Sequence, residues 1–316
     1  MARAGFTQGR LAAVTGATGF LGRRLVLALR AAGWRIRVLV RPSSPGMGDD
    51  ADVEVVFGDL GDPAALATLA EGTDVVVHAA GLIKARDRAA FFDVNVEGVR
   101  RIARVVGEGR MILISSLAAR EPALSDYAAS KRTGEEAARS VLGERLTVLR
   151  PPAIYGPGDR ETLALFRLAG AAPCLPTPGS TSARLALAYV DDVAASVLGR
   201  LDQSWSPGVF AIGGARPEGY GWREIFETAA AAMGRRPILA PVPDALIKVA
   251  AAASEFAAGL RGQPAIFTRG KARELLHPDW TVSAAESPPG PPLPSVDLRT
   301  GFERTVAWYR QAGWLR

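Results

Sequence analysis

The chain predicts an α/β protein built on a doubly wound parallel sheet, followed by a smaller, mostly helical region. Three observations carry this. Short β-branched runs alternate with amphipathic runs of helix length through the first half of the 316 residues. The apolar runs lack an in–out alternation, as strands covered on both faces do. The residues with chemical potential, Arg41, Asp59, Gly81 and Ser116 among them, all fall at the carboxyl ends of predicted strands. Ligands of open parallel sheets lie at those ends.

The first strand is Leu11–Thr15 and the first helix Phe20–Ala32, joined by Val14-Thr-Gly-Ala-Thr-Gly-Phe-Leu-Gly22. Gly16 lets the chain turn off the strand, Gly19 lets backbone amides approach a pyrophosphate, and Gly22 lets the helix pack on the strand. The helix N-terminus then offers unpaired N–H groups and a partial positive charge to the phosphates. Gly33 ends the helix. Arg35–Val40 is the second strand, and Arg41 follows at once. An acidic residue there binds a ribose 2′-hydroxyl, whereas an arginine pairs a 2′-phosphate. NADP is therefore the preferred cofactor and NAD the alternative; Arg41 as a solvent-facing loop residue is the plainer reading.

Val53–Phe57 is the third strand. Asp59 after it can accept from an adenine amino group or cap the helix that begins near Asp62-Pro63. Asp74–His78 is the fourth strand, and the small Ala79-Ala80-Gly81 leaves room for a flat cofactor. His78 packs beside the strand. Phe91–Val106 reads as one long helix carrying Asn95. Met111–Ile114 is the fifth strand, ending in Ser115-Ser116, a helix runs from Ser125 to Val141, and Arg145–Leu149 is the sixth strand, closed by Arg150-Pro151-Pro152.

Beyond residue 155 the pattern loosens. Pro173 to Ser182 is rich in Pro, Gly, Ser and Thr. Arg184–Val190 and Val209–Ile212 are strands expected to rejoin the large sheet, with a helix from Asp191 to Leu201 between them. Helices follow at Trp222–Met233, in the alanine-rich run Ala245 to Leu260, and from Thr268 to Leu276. Ser287–Pro294 is a proline-rich linker, and Val296–Leu315 is an amphipathic helix. The division expected is a dinucleotide-binding domain over 1–155, with 184–214 returning to it, and a substrate-binding region of 156–183 and 215–316.

Composition narrows the function classes. The formal net charge is +6, with arginines spread along the chain, so a basic nucleic-acid groove is not indicated. Cys174 is the single cysteine, and His78 and His277 lie far apart, which gives neither a disulfide nor a metal cluster. Ala245 to Leu260 is too short to span a bilayer and is interrupted by Lys248 and Glu255. It reads as a buried or half-buried helix, with a membrane-surface helix as the alternative. A cytoplasmic enzyme without an integral membrane segment is the expectation.

Tyr127 and Lys131 stand four apart, on one face of a helix, and Ser116 ends the neighbouring strand. Bringing a phenol from about 10 to near neutrality asks for roughly 4 kcal/mol of differential stabilisation. A lysine ammonium and an oxidised nicotinamide are candidates to supply it. Tyr127 then exchanges the hydroxyl proton while hydride moves, Ser116 holds the same oxygen, and Lys131 also reaches the nicotinamide ribose. A surface tyrosine and lysine on an amphipathic helix is the plain alternative for the pair taken alone.

The chain resembles the extended short-chain dehydrogenase/reductases of the NAD-dependent epimerase/dehydratase family. The resemblance rests on Thr15-Gly-Ala-Thr-Gly-Phe-Leu-Gly22, Gly58-Asp59-Leu60, His78-Ala79-Ala80-Gly81, Asn95-Val96-Glu97-Gly98, Ser115-Ser116 and Tyr127-Ala-Ala-Ser-Lys131. Arg150-Pro151, Tyr155-Gly156-Pro157-Gly158 and Tyr189-Val-Asp-Asp-Val-Ala194 continue it in the family's order. It implies a Rossmann fold with Tyr127 as acid/base, Lys131 as its partner, Ser116 as orienter and Asn95 as a mainly structural helper. It implies cofactor contacts from Gly16, Thr18, Gly19, Phe20, Leu21, Gly22, Arg41, Asp59, Leu60, Ala79, Ala80, Gly81, Asn95, Tyr127, Lys131 and Pro151. It also implies a homodimer through the helices holding Phe91–Val106 and Tyr127–Val141.

Two departures matter. Only ten residues separate Ser116 from Tyr127, where sugar-nucleotide enzymes of the family carry a longer loop. Ser115-Ser116-Leu117-Ala118 also lacks the Thr-Asp-Glu of the dehydratases. The expected activity is hydride transfer between NADP(H) and an alcohol or ketone, with an apolar one suiting the apolar second region. A sugar-nucleotide epimerase with tightly bound cofactor and a non-catalytic dinucleotide-binding subunit are the alternatives.

Overall fold

The computed structural model describes residues 9–44, 53–179, 182–202, 205–261, 265, 267–290 and 293–315. In chain order the first half comprises β1 (Leu11–Thr15), α1 (Phe20–Ala31), β2 (Arg35–Val40), β3 (Val53–Phe57), α2 (Pro63–Ala70), β4 (Val75–His78), α3 (Arg88–Phe92), a π-turn (Asp93–Gly98), α4 (Val99–Val105), β5 (Arg110–Ile114), α5 (Asp126–Leu142), β6 (Leu146–Arg150) and β7 (Ala153–Tyr155). The second half adds α6 (Leu163–Ala171), β8 (Cys174–Pro178), β9 (Arg184–Leu185), β10 (Leu187–Tyr189), α7 (Val190–Asp202), β11 (Gly208–Ala211), α8 (Trp222–Ala232), β12 (Ile238–Val242), α9 (Asp244–Leu260), α10 (Arg269–Leu276), β13 (Asp279–Trp280) and α11 (Leu298–Gln311).

Seven strands form one sheet in the order β3-β2-β1-β4-β5-β6-β11, every pair parallel. The direction of winding reverses between β1 and β4, so a crevice opens between their carboxyl ends. All five residues of β1 are buried, as a central strand covered on both faces requires. One face is covered by α1 and α7, through Leu25, Leu29, Val193 and Val197. The other is covered by α2, α4 and α5, through Leu66, Leu69, Ile102 and Ala138. Each buried leucine contributes about 1.5–3 kcal/mol of transfer free energy.

Local chemistry fixes the element ends. Asp62 accepts from Ala64 N at 3.0 Å and Ala65 N at 3.1 Å, with Pro63 at the first helical position of α2. Ser125 caps α5 by accepting from Ala128 N at 2.9 Å. A third core cluster holds the second half together. Tyr155, Phe166, Phe302 and Tyr309 meet there edge to face, with ring centroids 5.0–5.8 Å apart.

Four readings change. The stretch from Arg184 to Tyr189 does not rejoin the large sheet: β10 pairs with β7 and β9 with β13, and only β11 returns to pair with β6. The Pro-, Gly-, Ser- and Thr-rich stretch from Pro173, where no strand is read from sequence, contains β8, which pairs in parallel with β12. Pro176 and Pro178 disguise it, because proline removes a ladder donor and is tolerated in short edge pairings. The single helix expected over Phe91–Val106 starts at Arg88 and is broken by the π-turn. Finally, Asp62 and not Asp59 caps α2; Asp59 Oδ1 instead accepts from Gly61 N at 2.7 Å, closing a local turn.

Candidate active site

The turn after β1 carries the first part of the site. Gly16 has φ +73°, and a Cβ there would lie 2.7–2.8 Å from the Ala79 carbonyl and Ala80 nitrogen. A Cβ on Gly22 would run into the Gly16 carbonyl. Both glycines are therefore required by close approach of backbone to backbone. No side chain caps α1 and no acid occupies its first turn. Its leading N–H groups thus face the crevice without a protein anion, which fits a pyrophosphate. Thr18, Gly19, Phe20 and Leu21 form this helix entry.

Thr15 and His78 are register partners on β1 and β4 and lock that end of the crevice. The Thr15 hydroxyl accepts from Ala80 N at 3.3 Å and lies 2.8 Å from His78 Nδ1. The hydroxyl can either give its proton to Nδ1 or accept from it. Complete burial, then the nearby Lys131 charge, hold His78 down to about 3. His78 is a structural group packed with its strand, as read.

Arg41 is exposed at the end of β2, with no side-chain partner among the described residues. Asp59 and Leu60 follow β3, and Leu60 packs where Gly98 has no side chain. Ala79, Ala80 and Gly81 extend β4, and a Cβ on Gly81 would stand 3.1 Å from Asn95 Oδ1 and 3.7 Å from Lys131 Nζ. Pro151 is buried beyond β6, and its carbonyl accepts from Leu117 N at 2.8 Å.

The π-turn points Asn95 inward. Its amide donates to the Leu82 carbonyl at 3.0 Å and to Ser130 Oγ at 2.9 Å, and its oxygen accepts from Leu82 N at 2.8 Å. One buried side chain thus ties the loop after β4 to α5. The backbones touch here because residue 134 is glycine: a Cβ would meet the Asn95 carbonyl oxygen.

Ser116, Tyr127 and Lys131 come together at the end of β5. The Tyr127 ring meets Phe91 at 6.0 Å. Burial pushes the phenol up to about 12; Ser116, as hydrogen-bond partner, pulls the other way, and the Glu274 carboxylate pushes up again. The expected depression of the phenol is thus reversed in the protein alone. Lys131 Nζ instead donates to the Ile114 carbonyl at 2.8 Å. Burial lowers Lys131 to about 8, opposed by the charge of Glu135.

Two acids absent from the sequence reading belong here. Glu135 lies one turn beyond Lys131 and is buried. It accepts from Arg150 Nε at 2.9 Å and Nη2 at 2.5 Å, and from the Ser115 hydroxyl. Its sequence signal was its spacing: 127, 131 and 135 share one helix face. Glu274 comes from α10 and accepts from the hydroxyl of Ser125, the residue that caps α5. No local pattern marks it, since its partner is 149 residues away. Among the described residues no group of acids, histidines and cysteines is arranged to hold a metal ion. No described helix is long and apolar enough to cross a membrane.

A doubly wound sheet with a glycine turn, an uncapped helix at its switch point and a Ser-Tyr-Lys cluster at the adjoining strand ends defines the class of dinucleotide-dependent enzymes. The chain belongs to the NAD dependent epimerase/dehydratase family, whose model matches residues 12–213. It is 51% identical over 308 residues to a ceramide reductase of Caulobacter vibrioides, covering 96% of this chain and 95% of that protein. It is 26% identical over 339 residues to UDP-glucuronate 4-epimerase 1 of Arabidopsis thaliana, covering 94% and 76%. The fold is shared with the Thermus thermophilus UDP-glucose 4-epimerase solved with NAD, at a TM-score of 0.68, 22% identity and coverage of 96% and 99%.

Proposed function

We propose that the chain is an NADP(H)-dependent reductase that converts a ketone on a ceramide-type lipid to a secondary alcohol. The observation that carries this is the placement of Tyr127, with Ser116 at its oxygen and Lys131 one helical turn away; burial pushes the phenol further up. A protonated phenol is the acid that carbonyl reduction needs, whereas alcohol oxidation needs it ionised. The bound cofactor supplies hydride to the carbonyl carbon. Ser116 orients the carbonyl oxygen, and Tyr127 Oη gives it the proton. Lys131, whose Nζ now donates to the Ile114 carbonyl, would hold the cofactor ribose and supply a positive charge one helical turn from the phenolate. The similarity to a ceramide reductase over nearly the whole chain supports the substrate class. The ten-residue interval from Ser116 to Tyr127 weighs against a sugar nucleotide.

The preference for NADP rests on Arg41, exposed and without a protein partner among the described residues. Calorimetric titration with NADPH and NADH tests it. Arg41→Ala should weaken NADPH binding by about tenfold or more, the size of a lost charge-assisted contact, and leave NADH nearly unchanged. Equal losses remove Arg41 from the 2′-phosphate site. Turnover of a long-chain keto lipid in detergent tests the reaction itself. A permanently bound cofactor with no such turnover points to an epimerase.

A further inference from the structure

α9 is turned inside out for a helix of a water-soluble fold. Of its seventeen residues only Ala251 is buried. Leu246, Val249, Phe256 and Leu260 are each 58–76% exposed. With Ala250 and Ala253, also exposed, they recur at helical spacing and form one outward apolar stripe. Ile238, on the strand that leads into the helix, is 75% exposed. An apolar stripe of this length on a folded surface marks a partner that is itself apolar.

The surrounding charge identifies that partner. Arg235, Arg236, Lys248 and Arg261 are exposed, and none has a side-chain partner among the described residues. The acids nearby are accounted for. Glu255 is held by the Arg269 backbone N–H at 2.9 Å and the Arg269 guanidinium at 3.3 Å. Asp244 sits in the first turn of α9, where the helix dipole favours it. An apolar helix face with free cations at its C-terminal end, at Arg261, and ahead of the strand that leads into it, at Arg235 and Arg236, matches an acyl region roofed by anionic headgroups.

α9 is also connected to the candidate site, through α10. α9 is tied to the start of α10 by Ser254 Oγ, which accepts from Phe267 N at 3.4 Å, and by Glu255. α10 in turn presses on the cap of α5, where a Cβ on Gly270 would stand 2.8 Å from Ser125 Cβ. Tyr127 is two residues beyond that cap. α10 therefore stands between α9 and the cap of α5, with the stripe on the outer side of α9.

We propose that the outward face of α9 docks on the surface of an anionic lipid bilayer and sets the mouth of the active site beside it. The choice of a bilayer over a second copy of the chain rests in part on the lipid-reductase reading.

Flotation of the full chain, without cofactor, with vesicles of phosphatidylcholine plus phosphatidylglycerol tests this. The chain should float with them, and less with phosphatidylcholine alone. Phe256→Glu with Leu260→Glu should lower the bound fraction about tenfold or more, since both apolar anchors are lost. NADPH affinity, measured alongside, should stay unchanged because these side chains project from the far side of α9. Absence of vesicle binding by the parent chain, or undiminished binding by the variant, overturns the proposal. So does a dimer of the parent that the variant converts to monomers, which assigns the stripe to a second copy. Turnover of a keto lipid dispersed in detergent separates the two readings. Turnover without flotation removes the docking and leaves the reductase, whereas flotation without turnover keeps the docking and removes the lipid reductase.

Discussion

Tyr127 illustrates how a residue's role is set by what surrounds it. The motif places it, but burial pushes its phenol up while Ser116 pulls it down and the Glu274 carboxylate pushes it up again. Tyr127→Phe keeps the ring and its Phe91 contact while removing the proton. Turnover should fall by about 10²–10⁴-fold, the usual worth of a positioned acid, with cofactor affinity within ~2-fold by calorimetry. His78 makes a separate prediction. Its imidazole is held down to about 3, against 6.5 for the ordinary side chain, so the unfolded chain binds more protons between those values. Stability is thus fully present above pH 6.5 and is lost as pH falls toward 3. By pH 5 the loss from this group should reach about 2 kcal/mol. His78→Asn, which keeps an acceptor for the Thr15 hydroxyl, should flatten the urea-midpoint profile between pH 6.5 and 5; an unchanged slope would assign it to other groups. Ser116, Tyr127 and Lys131 were legible because local spacing and a strand end mark them. Glu135 carried only its spacing on the same helix face as a signal, and Glu274 carried none, because its partner is one that only folding brings near.

At the scale of elements, β1, α1 and α5 were readable within a residue or two. Their glycines, caps and apolar periods all point one way, and consistency of that kind makes a segment predictable. The π-turn was not readable. It admits one extra residue per turn without changing the residue types that favour a helix, and such turns recur at functional sites. Its cause here is tertiary: the Asn95 amide is held by Leu82 and Ser130, and α5 approaches through Gly134. Gly134→Ala should therefore cost about 1–3 kcal/mol by overpacking, despite the better helix propensity of alanine. Gly259→Ala is the matched control, because a Cβ there meets nothing within 4 Å. It should be neutral or stabilising by about 0.5–1 kcal/mol. Thermal melts of the two variants moving together would show that the contact of α5 with Asn95 is not tight.

Across the whole molecule, the second half is where local reading failed, and the failure has one cause. β8 pairs with β12 and β9 with β13, so the ladders join segments far apart in sequence. Short strands carrying prolines have no period of their own to announce them. What holds this half over the site is likewise long-range. Arg120, just after the Ser116 turn, donates to the Thr281 carbonyl at 2.8 Å and the Asp279 carbonyl at 2.5 Å, with its guanidinium 5.9 Å from the Trp280 ring centroid. It is the strap between the end of β5 and the strand that pairs with β9. Arg120→Ala leaves those carbonyls without their donor and removes the direct tie between the 279–286 segment and the end of β5. Nothing in the β1–α1 turn changes, so NADPH affinity should hold. On the proposal that the second half binds substrate, the KM for a keto lipid should rise by about tenfold, the worth of one or two charge-assisted hydrogen bonds, with a smaller effect on kcat. Arg120→Lys, one cation with a single donor centre, should recover only part of that loss, because the fork reaches two carbonyls at once. If NADPH affinity and KM instead deteriorate together, the two halves are not separately held, and Arg120 supports the fold as a whole rather than the placement of substrate.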